Sequence, residues 1–454
     1  MMNSDIFHAY DIRGKYPTEI NEVVAERIGN AVARYLSIKL KKRQLTLIVV
    51  RDVRMSSPLL QEALIRGITA QGSDVIDAGI GTTPFFYFLI QKFRVDGGLM
   101  VTASHNPPEY NGFKIREKGG GPIFMGTGLE RIKTMVLSQR AVRNRTGERI
   151  FPKMDYKKKY FDFLSKGIAI ENIRAVIDAA GGSVTYFLPE LLARFPSLTY
   201  KPLFFESDGS FSRHSPNPLL PSAQKFVQKE LETGQFQFGA VFDGDGDRIS
   251  FFDEKGNAIR SEFISALFMD EELKRRRGGT YAFAVNTSRG AREYIETKGG
   301  RIVFMPIGPP RAKIVMQRTH ALYGTEFAPH FYFKKFFYND SALMALLRLA
   351  QIISRTHRPL SQLVAPFARY ISSDEINLSI KDKKAAMRRV LEFYRGIPGV
   401  KITKIDGISV DFSDWWFNLR PSNTEPYIRL VMEARTQELY DEKMKELERI
   451  IGKH

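Results

Sequence analysis

Apolar runs of strand length alternate with segments of helical periodicity through most of the chain. The first clear pair begins with residues 45–50, an apolar and largely β-branched run that predicts a strand. The helix after it is predicted to have Ser57 as its N-cap and Pro58 as its first residue, and to stop near Gly72. The apolar face of this helix consists of Leu59, Leu60, Ala63 and Leu64.

The same alternation of strand and helix recurs twice further along the chain. A strand is predicted to begin at residues 75–76, and further strands are predicted at 98–101, 173–177, 238–242, 281–285 and 301–305. Such alternation is typical of a parallel or mixed sheet covered by crossover helices. The chain therefore predicts an α/β multidomain protein with three successive mixed α/β domains, although no residue-level repeat relates them.

The C-terminal segment follows a different pattern. Four strands come in succession, at residues 401–405, 408–412, 415–419 and 427–434. A last helix is predicted from about Thr436, with apolar residues at four-three-four spacing, namely Tyr440, Met444, Leu447 and Ile451. Consecutive strands followed by a helix predict a C-terminal α+β domain with an antiparallel sheet.

Length and composition suit three or four domains of roughly 100–150 residues each. A chain of 454 residues is too long for one ordinary core, and its 43% hydrophobic and 12% aromatic content is typical of packed globular domains. We expect four domains, at residues 1–150, 151–253, 254–370 and 371–454. No linker rich in Gly, Ser or Pro separates them, so they are expected to pack together around a ligand site.

The sequence shows no features of a membrane span or a signal peptide and has no cysteine, which disfavours membrane, secreted and cysteine-dependent proteins. No run of about 18 uncharged apolar residues predicts a membrane span, and the first residues lack the features of a signal peptide. The protein is therefore expected in the cytoplasm, without membrane association. The absence of cysteine excludes disulfides, Cys-ligated zinc and thiol catalysis.

The net charge of +18 leaves two kinds of partner open. A basic balance is typical of nucleic-acid binding, but it also suits an anionic small substrate. The basic clusters are short and scattered, at residues 39–43, 157–159 and 274–277, and no aromatic-basic motif accompanies them. They are read mainly as solvated surface, and no nucleic-acid partner is expected.

The first segment with possible chemistry is VTASHNPP, residues 101–108, at the end of a predicted strand. The carboxyl end of a strand is where α/β folds place ligands. Ser104 there could take and return a phosphoryl group, and His105 and Lys114 could supply protons or charge. The alternative is a plain turn rich in Ser, Asn and Pro.

The second segment is DGDGDR, residues 243–248. Asp243, Asp245 and Asp247 are separated by glycines and can converge on one Mg²⁺ ion, which prefers oxygen ligands. An EF-hand is a rival reading, because Glu254 falls at its twelfth loop position. However, Arg248 stands where that loop needs Gly, and a strand precedes the segment. A metal-free acidic turn also stays open.

Two further polar segments lie nearer the C-terminus. The loop RPSNTEP, residues 420–426, could surround a phosphate dianion with a guanidinium, hydroxyls and loop N–H groups, or be a plain hairpin loop. In GTEFAPH, residues 324–330, a carboxylate and an imidazole four residues apart could bind sugar hydroxyls or move protons. An ordinary loop is the alternative there.

Together these segments make the chain recognisable. It resembles the α-D-phosphohexomutase family over essentially its whole length, and within that family the bacterial phosphomannomutase/phosphoglucomutase branch. The resemblance rests on AYDIRG at residues 9–14, TASHNP at 102–107, DGDGDR at 243–248 and RPSNTEP at 420–426, in that order. It implies a heart-shaped arrangement of three mixed α/β domains and one α+β domain around a central cleft.

The resemblance also implies roles for individual residues. Ser104 matches the family's phosphoserine, which with Asp243, Asp245 and Asp247 binds Mg²⁺. The residues matching those near the transferring phosphoryl group are Arg13, Arg248 and Lys114, with Tyr10 and His105 beside the reactive serine. The residues matching the loop for the non-reacting phosphate are Arg420, Ser422, Asn423 and Thr424. Glu326 and His330 match the sugar-binding segment, and the candidate general bases are Lys114 and His330.

The implied reaction interconverts hexose 6-phosphates and hexose 1-phosphates. Phosphoserine would phosphorylate the substrate, and the resulting hexose 1,6-bisphosphate, which also serves as activator, would reorient and return its other phosphate to Ser104. Thr102 and Asn423 resemble the mannose/glucose branch, so mannose is expected as the preferred sugar, with glucose possible. A monomer or homodimer acting on small hexose phosphates is expected.

Some positions that bear on the choice of sugar depart from the family's pattern. Ala328 and Pro329 replace a Ser-Gly pair, Pro309 follows Gly308 where many relatives have His, and Asn286 stands where many have a phosphate-contacting Lys. Losing one hydrogen bond to a sugar costs about 1 kcal/mol. Another hexose specificity, or a sugar-phosphate-binding protein without catalysis, is therefore the alternative.

Overall fold

The computed structural model describes residues 4–138, 146–152, 154–421 and 427–452. Its chain forms two compact units. The first unit comprises Met1–Ile259 and Asn339–Leu360, and the second comprises Arg260–Tyr338 and Ser361–His454. Within the described residues, no helix is both long and apolar enough to cross a membrane.

The first unit begins with a mixed seven-stranded sheet. Its strands are Ile12–Lys15, Thr46–Arg51, Asp74–Ile80, Gly97–Val101, Tyr110–Glu117, Pro122–Ile123 and Arg149–Ile150. Across the sheet their order is 12–15, 110–117, 97–101, 46–51, 74–80 and 149–150, with 122–123 paired to 110–117. Its helices are Glu22–Leu40, Ser57–Thr69, Thr83–Lys92 and Leu129–Leu137. The central strands 46–51 and 97–101 are almost fully buried, which explains their continuous apolar character.

The start of the second helix corrects one prediction. The N-cap is Ser56 rather than Ser57, and Pro58 is the second helical residue. The hydroxyl of Ser57 does not cap the helix because it donates to Asp52, at the end of the preceding strand. The helix ends at Thr69, and Gly72 belongs to the turn after it, where its backbone has φ 78°.

A second mixed sheet completes the first unit. Its strands are Ile173–Asp178, Leu198–Leu203, Phe238–Phe242, Ile249–Phe252 and Ala258–Ile259. Strand 173–178 runs parallel to both 198–203 and 238–242, and 249–252 returns antiparallel beside 238–242. The helices of this part are Tyr156–Ser165, Leu188–Leu192, Pro221–Leu231 and Ala342–Thr356. A two-residue strand, Asn339–Asp340, precedes the last of them.

The second unit also begins with a mixed sheet. Its strands are Arg301–Met305, Thr280–Ala284, Tyr323–Thr325 and Phe331–Phe333, in spatial order. The first three are parallel, and 331–333 returns antiparallel to 323–325. Its helices are Ser261–Arg275, Arg289–Thr297 and Pro309–Thr319. A short helix, Leu360–Val364, begins at the last residue of the first unit.

The remaining part of the second unit is an antiparallel sheet with two helices. The strands are Ile371–Ser372, Ile376–Ser379, Lys401–Thr403, Ile408–Asp411, Trp415–Pro421 and Tyr427–Ala434, and the helices are Lys383–Arg395 and Gln437–Ile451. Thr436 caps the last helix, and Leu447 and Ile451 are buried in its core. The predicted fold class, three mixed α/β parts followed by an α+β part, is confirmed.

Candidate active site

The serine segment leaves the end of the buried strand Gly97–Val101. Ser104 adopts a left-handed conformation with φ 52°, which a residue with a Cβ rarely adopts and which costs free energy. The backbone N–H of Ser104 donates to Thr102 Oγ1 at 2.8 Å. The side chain is buried, with 4% of the residue exposed. A sharp, strained turn therefore presents the Ser104 hydroxyl inside the first unit.

The aspartate segment forms the hairpin between strands Phe238–Phe242 and Ile249–Phe252. This location rules out an EF-hand, which needs a helix on each side of its loop. Gly244 is required by close approach, because a Cβ there would lie 2.5 Å from the carbonyl oxygen of Ser104. Gly246 has φ 71°, which favours glycine. The two glycines therefore allow the hairpin to approach the serine turn.

Three of the predicted site residues meet at the Ser104 hydroxyl. Ser104 Oγ donates to Asp243 Oδ2 at 2.9 Å. Arg248 Nη2 donates to Ser104 Oγ at 3.0 Å, and Arg248 Nε donates to Asp243 Oδ2 at 3.1 Å. The hydroxyl thus lies between a carboxylate and a guanidinium, in a buried setting.

The three aspartates converge as a metal site requires. Their carboxylate oxygens lie within 4.8 Å of one another, and all three residues are buried. Asp245 Oδ1 has no hydrogen-bond partner within the described residues, although it is buried. Burial, followed by the charges of Asp247 and Asp245, holds the pKa of Asp243 well above its usual range. A hard divalent cation fits here, because it would use these oxygens as ligands and oppose their repulsion.

Lys114 supplies positive charge to the same carboxylates. It lies on strand Tyr110–Glu117, and its Nζ donates to Asp245 Oδ2 and to Asp247 Oδ2, each at 2.7 Å. Burial lowers the pKa of Lys114, but these two carboxylates raise it by more, so the pKa lies well above its usual value. The Thr83 hydroxyl also donates to Asp245, at 2.7 Å.

The other residues predicted near the serine differ in how close they come. His105 Nδ1 lies 3.5 Å from Ser104 Oγ. Burial, then the charges of Arg248 and Arg13, hold the pKa of His105 well below its usual value. Arg13 contacts the serine turn through Asn106, and its other guanidinium nitrogen pairs with Asp11. The ring of Tyr10 packs against Phe124, and its nearness to Ser104 stays a prediction.

Three contributors were missed by sequence reasoning. Thr83 and Thr102 place hydroxyls on Asp245, and Arg54 donates to the carbonyl oxygen of Ser104 at 2.8 Å. All of them follow the carboxyl ends of strands in the first sheet, which is where ligands are expected. That position was the available signal, and a polar residue after each predicted strand would have been a candidate.

In the second unit, Glu326 and His330 lie in the turn between strands Tyr323–Thr325 and Phe331–Phe333. Glu326 Oε1 accepts from the hydroxyl of Tyr332 at 2.7 Å and from the N–H of Gly308 at 2.9 Å. The ring of His330 is inclined by 26° to that of Tyr332, with centroids 6.1 Å apart. Both predicted residues are buried, and the Glu326 carboxylate is firmly held.

Of the four residues predicted to bind phosphate, Arg420 is described, whereas Ser422, Asn423 and Thr424 lie outside the described residues. It is at the end of strand Trp415–Pro421, and its Nη2 donates to Glu375 Oε1 at 2.7 Å. Arg429 donates to the other oxygen of Glu375 at 3.1 Å, and Asn286 Nδ2 lies 3.4 Å from Oε1. A carboxylate thus orients two guanidinium groups, on the strands that precede and follow residues 422–426 in the sequence.

These contacts define what the site in the first unit can do. A serine hydroxyl is held beside a group of carboxylates suited to a divalent cation, with the guanidinium of Arg248 and the ammonium of Lys114 around it. Phosphoryl transfer depends on positioning and on neutralising charge on the phosphoryl oxygens. The arrangement therefore suits a serine that carries a phosphoryl group.

Comparison with known protein families gives four matches in chain order. They are phosphoglucomutase/phosphomannomutase alpha/beta/alpha domain I at residues 4–141, domain II at 155–256 and domain III at 260–370, and the C-terminal domain at 375–450. Together these matches cover nearly the whole chain.

Individual relatives cover equally long stretches. Phosphohexose mutases of Xanthomonas campestris pv. campestris are 36% identical over 96% of this chain and 99% of the relative. A phosphomannomutase of Vibrio cholerae is 34% identical over 98% of both chains. Among solved structures, a phosphoglucomutase/phosphomannomutase family protein of Burkholderia thailandensis superimposes with a TM-score of 0.90 at 28% identity, covering 100% of this chain and 99% of that chain.

Proposed function

Because the chain belongs to the phosphoglucomutase/phosphomannomutase family and is a phosphohexomutase, we propose that it interconverts mannose 6-phosphate and mannose 1-phosphate through a phosphorylated Ser104. The observation that carries the proposal is the position of Ser104 Oγ, 2.9 Å from Asp243 Oδ2 and 3.0 Å from Arg248 Nη2. A serine in an ordinary polar turn would not need a buried guanidinium and an acidic cluster around its hydroxyl.

In the first transfer, the bond between Oγ of Ser104 and phosphorus breaks while a hydroxyl oxygen of the substrate bonds to the same phosphorus. The candidate acceptor for the proton of that hydroxyl is His330, because the raised pKa of Lys114 leaves its ammonium already protonated. Arg248, which touches Oγ, offsets the negative charge left on the serine oxygen. The product of this half-reaction is a hexose 1,6-bisphosphate.

In the second transfer, the bisphosphate presents its other phosphoryl group, and the same bonds form and break in reverse. Ser104 is phosphorylated again, and the isomeric monophosphate leaves. A bisphosphate carries about four negative charges, which the basic balance of the chain would help retain. Added hexose 1,6-bisphosphate therefore acts as an activator, because it phosphorylates any Ser104 that has lost its phosphate.

Asp243, Asp245 and Asp247 would hold Mg²⁺ together with the phosphate of Ser104, and the ion would neutralise charge on that phosphate. The chain's own contribution is to preorganise the ligands. Thr83 and Lys114 donate to Asp245, and the backbone N–H groups of Asp247 and Arg248 donate to Asp243 Oδ1. These bonds fix the carboxylates before the substrate arrives.

For the second unit we propose two binding roles. Arg420, with Ser422, Asn423 and Thr424, would bind the phosphate that is not being transferred, because a guanidinium suits a phosphate dianion. Glu326 would bind sugar hydroxyls, held in place by Tyr332 and Gly308. Mannose is the first choice of sugar, and glucose is the alternative, since the two differ in the orientation of a single hydroxyl.

The proposal is tested by assaying the protein with Mg²⁺ and a bisphosphate activator on the 1-phosphates of mannose, glucose and glucosamine. Intact-mass measurement should show one phosphate on the wild type and none on Ser104→Ala, which should lose nearly all turnover. Ser265→Ala is the matched control, since Ser265 is a buried serine in the second unit. Absence of turnover on every hexose phosphate, with Ser104 never phosphorylated, would overturn the proposal. Tight hexose-phosphate binding without turnover would instead favour a binding protein.

A further inference from the structure

Arg54 lies directly behind the serine turn and is completely buried. Resting on the function proposed above, we propose that Arg54 is a positioning residue for phosphoryl transfer, which fixes the backbone of the serine turn against the aspartate hairpin. It acts through the main chain of the turn rather than by touching the reacting oxygen.

Both terminal nitrogens of the Arg54 guanidinium donate hydrogen bonds to main-chain carbonyl oxygens of this turn. Its Nη2 donates to the carbonyl oxygens of Ser104 at 2.8 Å and of Asn106 at 2.7 Å. Its Nη1 donates to the carbonyl oxygens of Pro107 at 2.7 Å and of Tyr110 at 3.0 Å. One rigid, planar group therefore holds both the start and the end of the turn, which a flexible ammonium cannot do.

The remaining side-chain donor of Arg54, Nε, connects the guanidinium to the centre of the sheet. Nε donates to Asp52 Oδ2 at 3.2 Å, and Asp52 is itself completely buried. Asp52 also accepts from the N–H of Arg54 at 3.1 Å and from the Ser57 hydroxyl. The backbone N–H of Asp52 donates to Val101 on the neighbouring strand at 2.9 Å. The position of the guanidinium is thus set by two central strands.

The flat face of Arg54 contacts the aspartate hairpin through an aromatic ring. Phe211 lies over the guanidinium, with its centroid 5.0 Å from Cζ, a cation–π arrangement. The Cζ atom of the same Phe211 ring lies 3.2 Å from where a Cβ of Gly244 would be. Arg54 therefore touches the serine turn along its edge and supports the hairpin through its face.

This arrangement matters because the serine turn is strained. Ser104 has φ 52°, and such a conformation persists only where the surroundings over-determine it. Loss of the hydrogen bonds from Arg54 to the turn would let the turn relax and move Ser104 Oγ away from Asp243 and Arg248. A displacement of about 1 Å can cost about 100-fold in rate.

The test compares Arg54→Lys with Arg292→Lys as a matched control. Arg292 is also buried and stacked on an aromatic ring, that of Trp416, but it lies in the second unit. Arg54→Lys should lower kcat about 100-fold with KM nearly unchanged, the loss expected for misplaced reacting atoms. Arg292→Lys should leave kcat near the wild-type value. If Arg54→Lys does not fold, the milder variant Asp52→Asn takes its place in the test, and it should also lower kcat.

Amide hydrogen exchange provides a readout that does not depend on turnover. The N–H groups of Asn106 and Tyr110 are bonded within the turn, and both should exchange faster in Arg54→Lys but not in Arg292→Lys. Unchanged exchange, or a kcat no lower than that of Arg292→Lys, would overturn the inference. If the wild type itself turns over no hexose phosphate, the proposed function fails, while the exchange comparison still decides whether Arg54 holds the turn.

Discussion

Ser104 Oγ and Asp243 Oδ2 lie 2.9 Å apart, although 139 residues separate them in the sequence. The contact joins two sheets of the first unit, and it requires close approach of two backbone segments. Gly244 is next to Asp243, and a side chain at this position would point at the carbonyl oxygen of Ser104. The distance between the reactive hydroxyl and the acidic cluster therefore depends on a glycine.

Gly244→Ala tests this dependence. A Cβ would lie 2.5 Å from the Ser104 oxygen, which is backbone and cannot move aside cheaply, so the hairpin and the turn should separate. We expect kcat to fall about 100-fold, as for a displacement of about 1 Å, and the protein to be destabilised by about 1–3 kcal/mol. Steady-state kinetics and urea unfolding measure the two effects. Gly396→Ala is the control, because nothing lies within 4 Å of its Cβ position and its φ is −94°, so it should leave kcat unchanged and should not destabilise the protein.

The acidic cluster predicts a stabilising effect of Mg²⁺. A ligand that binds only the folded state stabilises it by about 2.7 kcal/mol at a concentration of 100 times its Kd. Mg²⁺ should therefore raise the Tm of the wild type, and Asp245→Asn should remove most of this rise. Differential scanning fluorimetry with and without Mg²⁺ measures it. Asp253→Asn, which alters a buried aspartate of a neighbouring turn, should keep the full rise, and an equal response from Asp245→Asn would contradict the metal assignment.

Much of this site could be predicted from the sequence, because its residues sit in short segments of unusual composition. Glycines between aspartates, and a serine directly after a buried strand, point to chemistry without any knowledge of packing. The role of Arg54 could not be predicted in the same way. Its partners are main-chain carbonyls about 50 residues away. Since every residue has such a carbonyl, the sequence does not show which ones accept a hydrogen bond from Arg54.

The fold shows the same division between local and distant causes. Strand Phe238–Phe242, a continuous apolar run, was placed to the residue, whereas the run at residues 45–50 was placed one residue early. The N-cap of the second helix was wrong by one position. The helix begins at Ser57, whose hydroxyl donates to Asp52, and Ser56 occupies the N-cap position without a side-chain capping bond. Two adjacent serines look alike as caps in a sequence, but both hydroxyls bond to residues outside the helix: Ser57 donates to Asp52, and Ser56 accepts from Asn111.

Glu433 predicts a loss of stability in acid. Burial alone would raise its pKa, but Arg260, Trp416 and the backbone N–H of Arg289 lower it below its ordinary value of 4.5. The stabilisation from this carboxylate is therefore fully present above about pH 4.5 and is lost as pH falls through the folded-state pKa. Urea unfolding of the wild type and Glu433→Gln between pH 3 and 6 should show the two curves converging toward low pH. Glu232→Gln, an exposed change, should run parallel to the wild type throughout.

Ala328→Ser addresses the departure in the sugar-binding segment. The residue lies in the turn that also holds Glu326 and His330, and its carbonyl oxygen accepts from the N–H of His330 at 2.6 Å. A hydroxyl at this position would add one hydrogen bond to a bound hexose, worth about 1 kcal/mol, so KM should fall about fivefold. The assay compares mannose 1-phosphate and glucose 1-phosphate, because a hydroxyl that contacts a group specific to one sugar would lower KM for that sugar alone. Ala368→Ser, an exposed substitution in the same unit, should leave both KM values unchanged. If KM stays constant for both sugars, the turn does not contact the hexose, and the specificity of this chain must be set elsewhere.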